Sequence, residues 1–165
     1  MGFMAEIPNW RKTRVTQKDP MHGCTPAGYE WLIRYYNVPY VNLPTFQDEF
    51  NLESKGINNN FDTIANAIKG VYPNINIKTK IFSNGYDKIY FINSLILNHV
   101  PCLISLPTGP NWHTMVVGYI DDTKLTLFDP ATGNYHQIPI NQIIDNHNNI
   151  EGGKDIAWLE SWEQG

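Results

Sequence analysis

The chain is short of cysteine, of charge and of long apolar runs, and each shortage removes a class of protein. Two cysteines in 165 residues, Cys24 and Cys102, make too weak a framework for a disulfide-stapled domain, so free thiols are expected. Charged residues amount to 17%, with 12 Lys and Arg against 16 Asp and Glu, and no basic run could track a phosphate backbone. Nucleic acid is therefore not an expected partner. No stretch is apolar for the length of a membrane-spanning helix. The opening "MGFMAEIPNWRK" has no signal-peptide core, and Glu6 stands where a myristoylation motif needs Ser or Thr. A cytoplasmic chain without a membrane partner is the default expectation, unless a signal has been removed. No CxxC pair, HExxH helix, dinucleotide fingerprint or phosphate loop occurs, so neither a metal nor a cofactor is expected.

What is present is a globular composition, 42% hydrophobic, in a length suited to one domain spanning residues 1–165. A helix is predicted from Cys24 to about Tyr36, with Ala27, Trp31, Ile33 and Tyr35 recurring along it, Pro26 in its first turn and Pro39 beyond its end. A second follows Asn60, with Phe61, Ile64, Ala65 and Ile68 at helical spacing and Gly70 as its stop. A third is predicted over about Asp87–Asn98. Short β-type runs then take over: "VPCLISL", "HTMVVGYI", "KLTLFD", "YHQIPI" and "KDIAWLESW", joined by hairpin-like "IDDTKL" and "DPATGNY". "LPTFQDEFNLESKGINNN", "IFSNGYDK" and "DNHNNIEGG" are expected to be loops. Helices first and an antiparallel meander afterwards define an α+β fold of two packed layers.

Cys24 stands where a loop becomes a helix. Unpaired backbone N–H groups and aligned peptide dipoles favour a thiolate there, and the same N–H groups can later stabilise an oxyanion. Cys102, inside an apolar strand with no base nearby, is expected to be packing. Among five histidines, His113 sits at the mouth of the strand "HTMVVGYI", and Asp129 ends the strand expected to pair with it, which suits a base and its orienting carboxylate. His22, His99, His136 and His147 need no special role, and Asp121 with Asp122 is expected to be a solvated hairpin tip. Gln17 lies in a loop that could fold back to donate into an oxyanion site. Trp112 either shields the imidazole pair or is core; together with Thr25 it is the expected cleft lining.

Three pieces, "Q......GCTPAGYEWLIRYYN", "HTMVVGY" and "LFDPATG", give the stretch from about Val15 to Gly133 a resemblance to the papain-like cysteine peptidases, and most closely to the C39-like branch. The resemblance implies a helix carrying Cys24 packed on an antiparallel sheet carrying His113 and Asp129. It implies Cys24 as nucleophile, His113 as general base and acid, Asp129 as orienter, Gln17 as oxyanion donor, and a peptide or protein as substrate. Transporter-linked members, which cut after paired glycines, usually have an acidic or amide residue before the cysteine and glycine after it. Here Gly23 precedes and Thr25 follows, so a stand-alone member is the closer likeness. Acyl transfer through the same thioester, or a silent binding module that keeps the fold, are the alternatives.

Overall fold

The sequence folds around one seven-stranded sheet in a computed structural model that describes residues 4–108, 111–149 and 153–164. In chain order the elements are β1 (Met4–Glu6), α1 (Cys24–Tyr35), α2 (Leu43–Phe50), α3 (Phe61–Val71), β2 (Ile75–Ile81), α4 (Gly85–Leu97), β3 (Cys102–Thr108), β4 (Asn111–Asp121), β5 (Lys124–Asp129), β6 (Asn134–Pro139), α5 (Ile140–Asn149) and β7 (Asp155–Trp162). The strand order is β2-β7-β3-β4-β5-β6, with β1 added on β4, and every pairing is antiparallel.

Local chemistry sets the helix ends. The Asn60 and Asn84 side chains accept from the N–H groups of Thr63 and Asp87, capping α3 and α4. At the end of α4, His99 takes a left-handed conformation (φ 62°) while Val100 N–H reaches back to Leu95 O at 2.9 Å, a Schellman closure in which a residue other than glycine stands at the turn. The β4–β5 hairpin is closed by Asp121, which accepts from the backbone of Thr123 and Lys124 at 2.8 and 3.0 Å, so its carboxylate shapes the tip.

Helix α1 is buried along nearly its whole length and lies close on the sheet: a Cβ built on Gly28 would stand 3.1 Å from side-chain atoms of both Leu103 and Thr114. Tyr29, Trp31, Leu32 and Ile33 from α1 join Cys102, Leu103 and Val116 from the strands in one core. Burying this contiguous apolar surface is the main source of stability.

Several expectations need correction. The segment "LPTFQDEF" is a helix, α2, because Phe46 and Phe50 one turn apart bury fully and Pro44 sits in the first turn, where no N–H is lost. The helices do not all precede the strands: β2 lies between α3 and α4 and pairs with the last strand, β7, along the far edge. Helix α5 is the whole of "INQIIDNHNN" and so takes in the start of "DNHNNIEGG", expected to be a loop; its Ile140, Ile143 and Ile144 are buried. Gly70 also lies inside α3, which runs one residue further. The part of "DNHNNIEGG" at 150–152 is outside the described residues.

Candidate active site

A tight loop delivers Cys24 to the start of α1. Asp19 organises it: one carboxylate oxygen accepts from the N–H groups of Met21 and His22 at 3.0 and 3.2 Å, the other from the Asn51 amide at 2.8 Å, and its backbone carbonyl accepts from Gly23 N–H at 3.0 Å. The Met21 N–H and the Asn51 amide hold the Asp19 carboxyl below the usual carboxylate range. A Cβ at Gly23 would fall 2.8 Å from Asp19 O, so the loop closes only because residue 23 has no side chain.

Buried amides clamp this loop from outside. Asn59 is 7% exposed and uses all four of its bonding positions: its Nδ2 donates to His22 O (2.7 Å) and Asn51 Oδ1 (2.9 Å), and its Oδ1 accepts from the N–H groups of Leu52 and Glu53. Gln47 donates to Thr16 O and accepts from Lys18 N–H. The "GINNNFD" stretch therefore buries one of its asparagines as a strut, where a loop reading foresees only surface.

Half-buried Cys24 meets β4. Burial pushes its thiol up, but hydrogen bonds to the His113 ring and to Thr114, with the field of the imidazole, more than offset this, and the thiol titrates below its ordinary value. The His113 ring is driven the same way from the other side. Burial disfavours its charge, yet the bonds to Asp129 and Cys24 push it up to about 9. His113 Nε2 lies 2.5 Å from Asp129 Oδ1. An ionised carboxylate only accepts, so Nε2 donates and Nδ1 is left for the thiol. Burial works against the Asp129 carboxylate as well, and the His113 contact dominates, bringing it down to about 2.

The Asp129 turn is itself well held. Ala131 N–H donates to Oδ1 at 2.9 Å, Gly133 N–H donates to Asp129 O at 2.8 Å, and Arg14 donates to Gly133 O. A third residue at the carboxylate has no motif to announce it: His136 Nε2 lies 3.2 Å from Oδ2. Only the β5–β6 register, Leu127 opposite His136 and Asp129 opposite Asn134, puts it there.

The remaining expected site residues fare differently. Gln17 runs beside the Asp129 turn, its N–H donating to Pro130 O at 3.0 Å, but its side-chain Nε2 donates to Asp19 O at 2.7 Å and its Oε1 is buried without a partner. Thr25 borders the cleft, yet its hydroxyl is shared with Thr114 at 2.8 Å and ties α1 to β4. Trp112 is 36% exposed and does line the cleft.

That cleft, a cavity of about 520 Å³, opens over Cys24 between Met21, Asn58, Phe61, Trp112, Gly153 and Asp155. Gly153 (φ +60°) passes under Trp112, and a Cβ there would come within 2.2 Å of the indole. Behind it Lys88, 1% exposed, donates its ammonium to Gly153 O at 2.6 Å, and burial brings it down to about 8. Among the described residues no group of three or more His, Cys, Asp or Glu is placed to hold a metal ion, and no helix is long and apolar enough to cross a membrane.

A cysteine at a helix start, facing histidine and aspartate on neighbouring antiparallel strands, is set in the papain-like C39 fold. Three of the solved structures that share that fold are the following. A double-glycine-motif protease from an AMS/PCAT transporter, solved in complex with its leader peptide, aligns at TM-score 0.60 and 16% identity over 96% of this chain and 94% of its own. The peptidase domain of Streptococcus ComA, a bi-functional ABC transporter involved in quorum sensing, gives 0.64 and 14% over 90% and 97%. A Bacillus anthracis protein described as a C39-like peptidase gives 0.66 and 13% over 97% and 99%. No protein-family model matches the sequence, and no curated protein does.

Proposed function

We propose that this chain is a cysteine peptidase of the C39-like type, its residues forming one catalytic domain that acts on a peptide or protein substrate. The observation that supports the reading is His113 Nε2 held 2.5 Å from Asp129 Oδ1, with its ring drawing the thiol of Cys24, which borders a cleft, below its ordinary value. In the resting state the lowered thiol and raised imidazole favour a thiolate–imidazolium pair. The thiolate attacks the scissile carbonyl carbon, and the developing oxyanion meets the Cys24 backbone N–H at the helix start. The Gln17 amide has two N–H groups and donates one to Asp19 O, which leaves the other to serve as a second oxyanion donor. The intermediate collapses, the C–N bond breaks, and His113 passes its proton to the leaving amine. Water, deprotonated by His113, then attacks the acyl carbon, and the C–S bond breaks to release the acid and restore the thiolate–imidazolium pair. Asp129 keeps the ring turned so that Nδ1 faces sulfur throughout.

A peptide substrate is further supported by the leader peptide held by the AMS/PCAT relative, whose domain has the same fold. Incubating the protein and its Cys24→Ala variant with a mixed peptide library, and reading new termini by mass spectrometry, tests the proposal. Cleavage by the parent alone is expected. Cleavage by neither, or equal cleavage by both, would sink it. Adding an amine to the same reaction distinguishes hydrolysis, which yields free acids, from acyl transfer, which yields new amides.

A further inference from the structure

We infer that His136 is a positioning residue for the proposed site, anchoring the second oxygen of Asp129 so that the first stays on His113. Asp129 is only 6% exposed, and a buried carboxylate with an unpaired oxygen is costly. Its Oδ1 is doubly held, by His113 Nε2 at 2.5 Å and by Ala131 N–H at 2.9 Å. Among the described residues the donor to Oδ2 is His136 Nε2, at 3.2 Å. Because the ionised carboxylate only accepts, His136 must donate from Nε2, and the order across the site becomes Cys24, His113, Asp129, His136. Without that fourth member Oδ2 has no donor among the described residues, and the carboxylate gains by turning it toward water, which takes Oδ1 out of line with His113.

The register places His136 for this task. It stands on β6 opposite Leu127, two residues along the strand from the partner of Asp129, and so shares a face with the carboxylate. Its side chain is 44% exposed while that of Asp129 is 9% exposed, so the ring bridges the solvent edge of the sheet to a buried charge. Replacing it opens no core.

The inference rests on the reading of Cys24 as an activated thiol, so the parent is measured first, by the rate of Cys24 alkylation with iodoacetamide across pH. A parent thiol that reacts like a free cysteine would overturn the proposed function itself. Given an activated parent, His136→Leu is expected to slow alkylation at pH 7 about three- to tenfold and to move the acid midpoint upward, because the imidazolium is less well held. His136→Gln, which offers an amide N–H at similar reach, is expected to restore most of the rate. In an Asp129→Asn background the same His136→Leu change is expected to add nothing, since the residue acts through that carboxylate. On a cleaved peptide, the loss is expected in kcat with KM little changed. An unchanged or faster alkylation rate in His136→Leu, or an undiminished loss in the Asp129→Asn background, would overturn the role of His136 while leaving the triad proposal standing. Thermal melts that match the parent separate these outcomes from misfolding.

Discussion

Cys24 and Cys102 are the same side chain in one molecule, and their surroundings pull the two thiols in opposite directions. Cys102 is wholly buried at the start of β3, where loss of hydration pushes its thiol up to about 12. Cys24 also loses water, but it stands at the first turn of a helix beside an imidazole that is itself held by a carboxylate, and it is pulled the other way. Burial alone makes a thiol inert. Burial next to a fixed, charged donor makes it reactive, because the donor gains strength in the same low-polarity setting that penalises the lone thiol.

The largest test of this contrast is to remove each sulfur. Cys24→Ala should abolish iodoacetamide labelling of the native protein and lower peptide turnover at least about a thousandfold, whereas Cys102→Ala should leave both untouched. Labelling followed by mass spectrometry reads this directly. Next, Asp129→Asn should leave the thiol in place but strip the imidazolium of its partner, with turnover falling about a hundred- to ten-thousandfold. Its alkylation profile should then approach that of an ordinary cysteine.

The pH dependence sharpens the same point. The ion pair forms as pH rises through the lowered Cys24 value and is lost as His113 gives up its proton near pH 9. Turnover should therefore climb to a plateau and fall above about pH 9, since the leaving amine loses its proton donor. Alkylation, which needs only the thiolate, should not fall there. A turnover profile without that upper limb would contradict the assignment of His113.

Smaller effects test the scaffold. Asn59→Ala strands two N–H groups and two acceptors around the nucleophile loop, and should cost about 2–4 kcal/mol by denaturant midpoint while slowing Cys24 alkylation. Cys102→Ala, beyond leaving chemistry alone, should cost about 1 kcal/mol, the loss of one small buried group.

The same contrast explains what is legible in the sequence. Local text sets the two cysteines in different settings, "GCTPAGYEW" as a loop entering a helix and "VPCLISL" as an apolar strand, but a role for Cys24 needs a base from elsewhere in the chain. His113 and Asp129 are legible because each closes or opens a strand run that hairpin chemistry lays beside the next. His136 is not legible, since its place at Oδ2 depends on a register that polar alternation in β6 does not fix. Asn59 and Gln47 read as surface amides because their partners lie in segments far along the chain. "INIKTKI" does alternate, and its pairing with β7 is the long-range fact that the local pattern leaves open. Helix α2 hides behind Pro44 and a polar middle, although Phe46 and Phe50 stand one turn apart.

One arrangement described above also governs when the site comes into being. Met4 pairs with Asp121, the Trp10 ring fills the space that a Cβ on Gly118 would take, and Gln17 N–H is held by Pro130 O. Residues 4–17 thus dock on residues more than a hundred positions further along the chain. Closing such distant contacts is slow, and it cannot begin until β4 and β5 have left the ribosome. During that interval the emerging chain carries Cys24 with no His113 to charge it. On the proposed reading, a chain without its sheet carries a thiol without its base, and completing the sheet is what brings the two together.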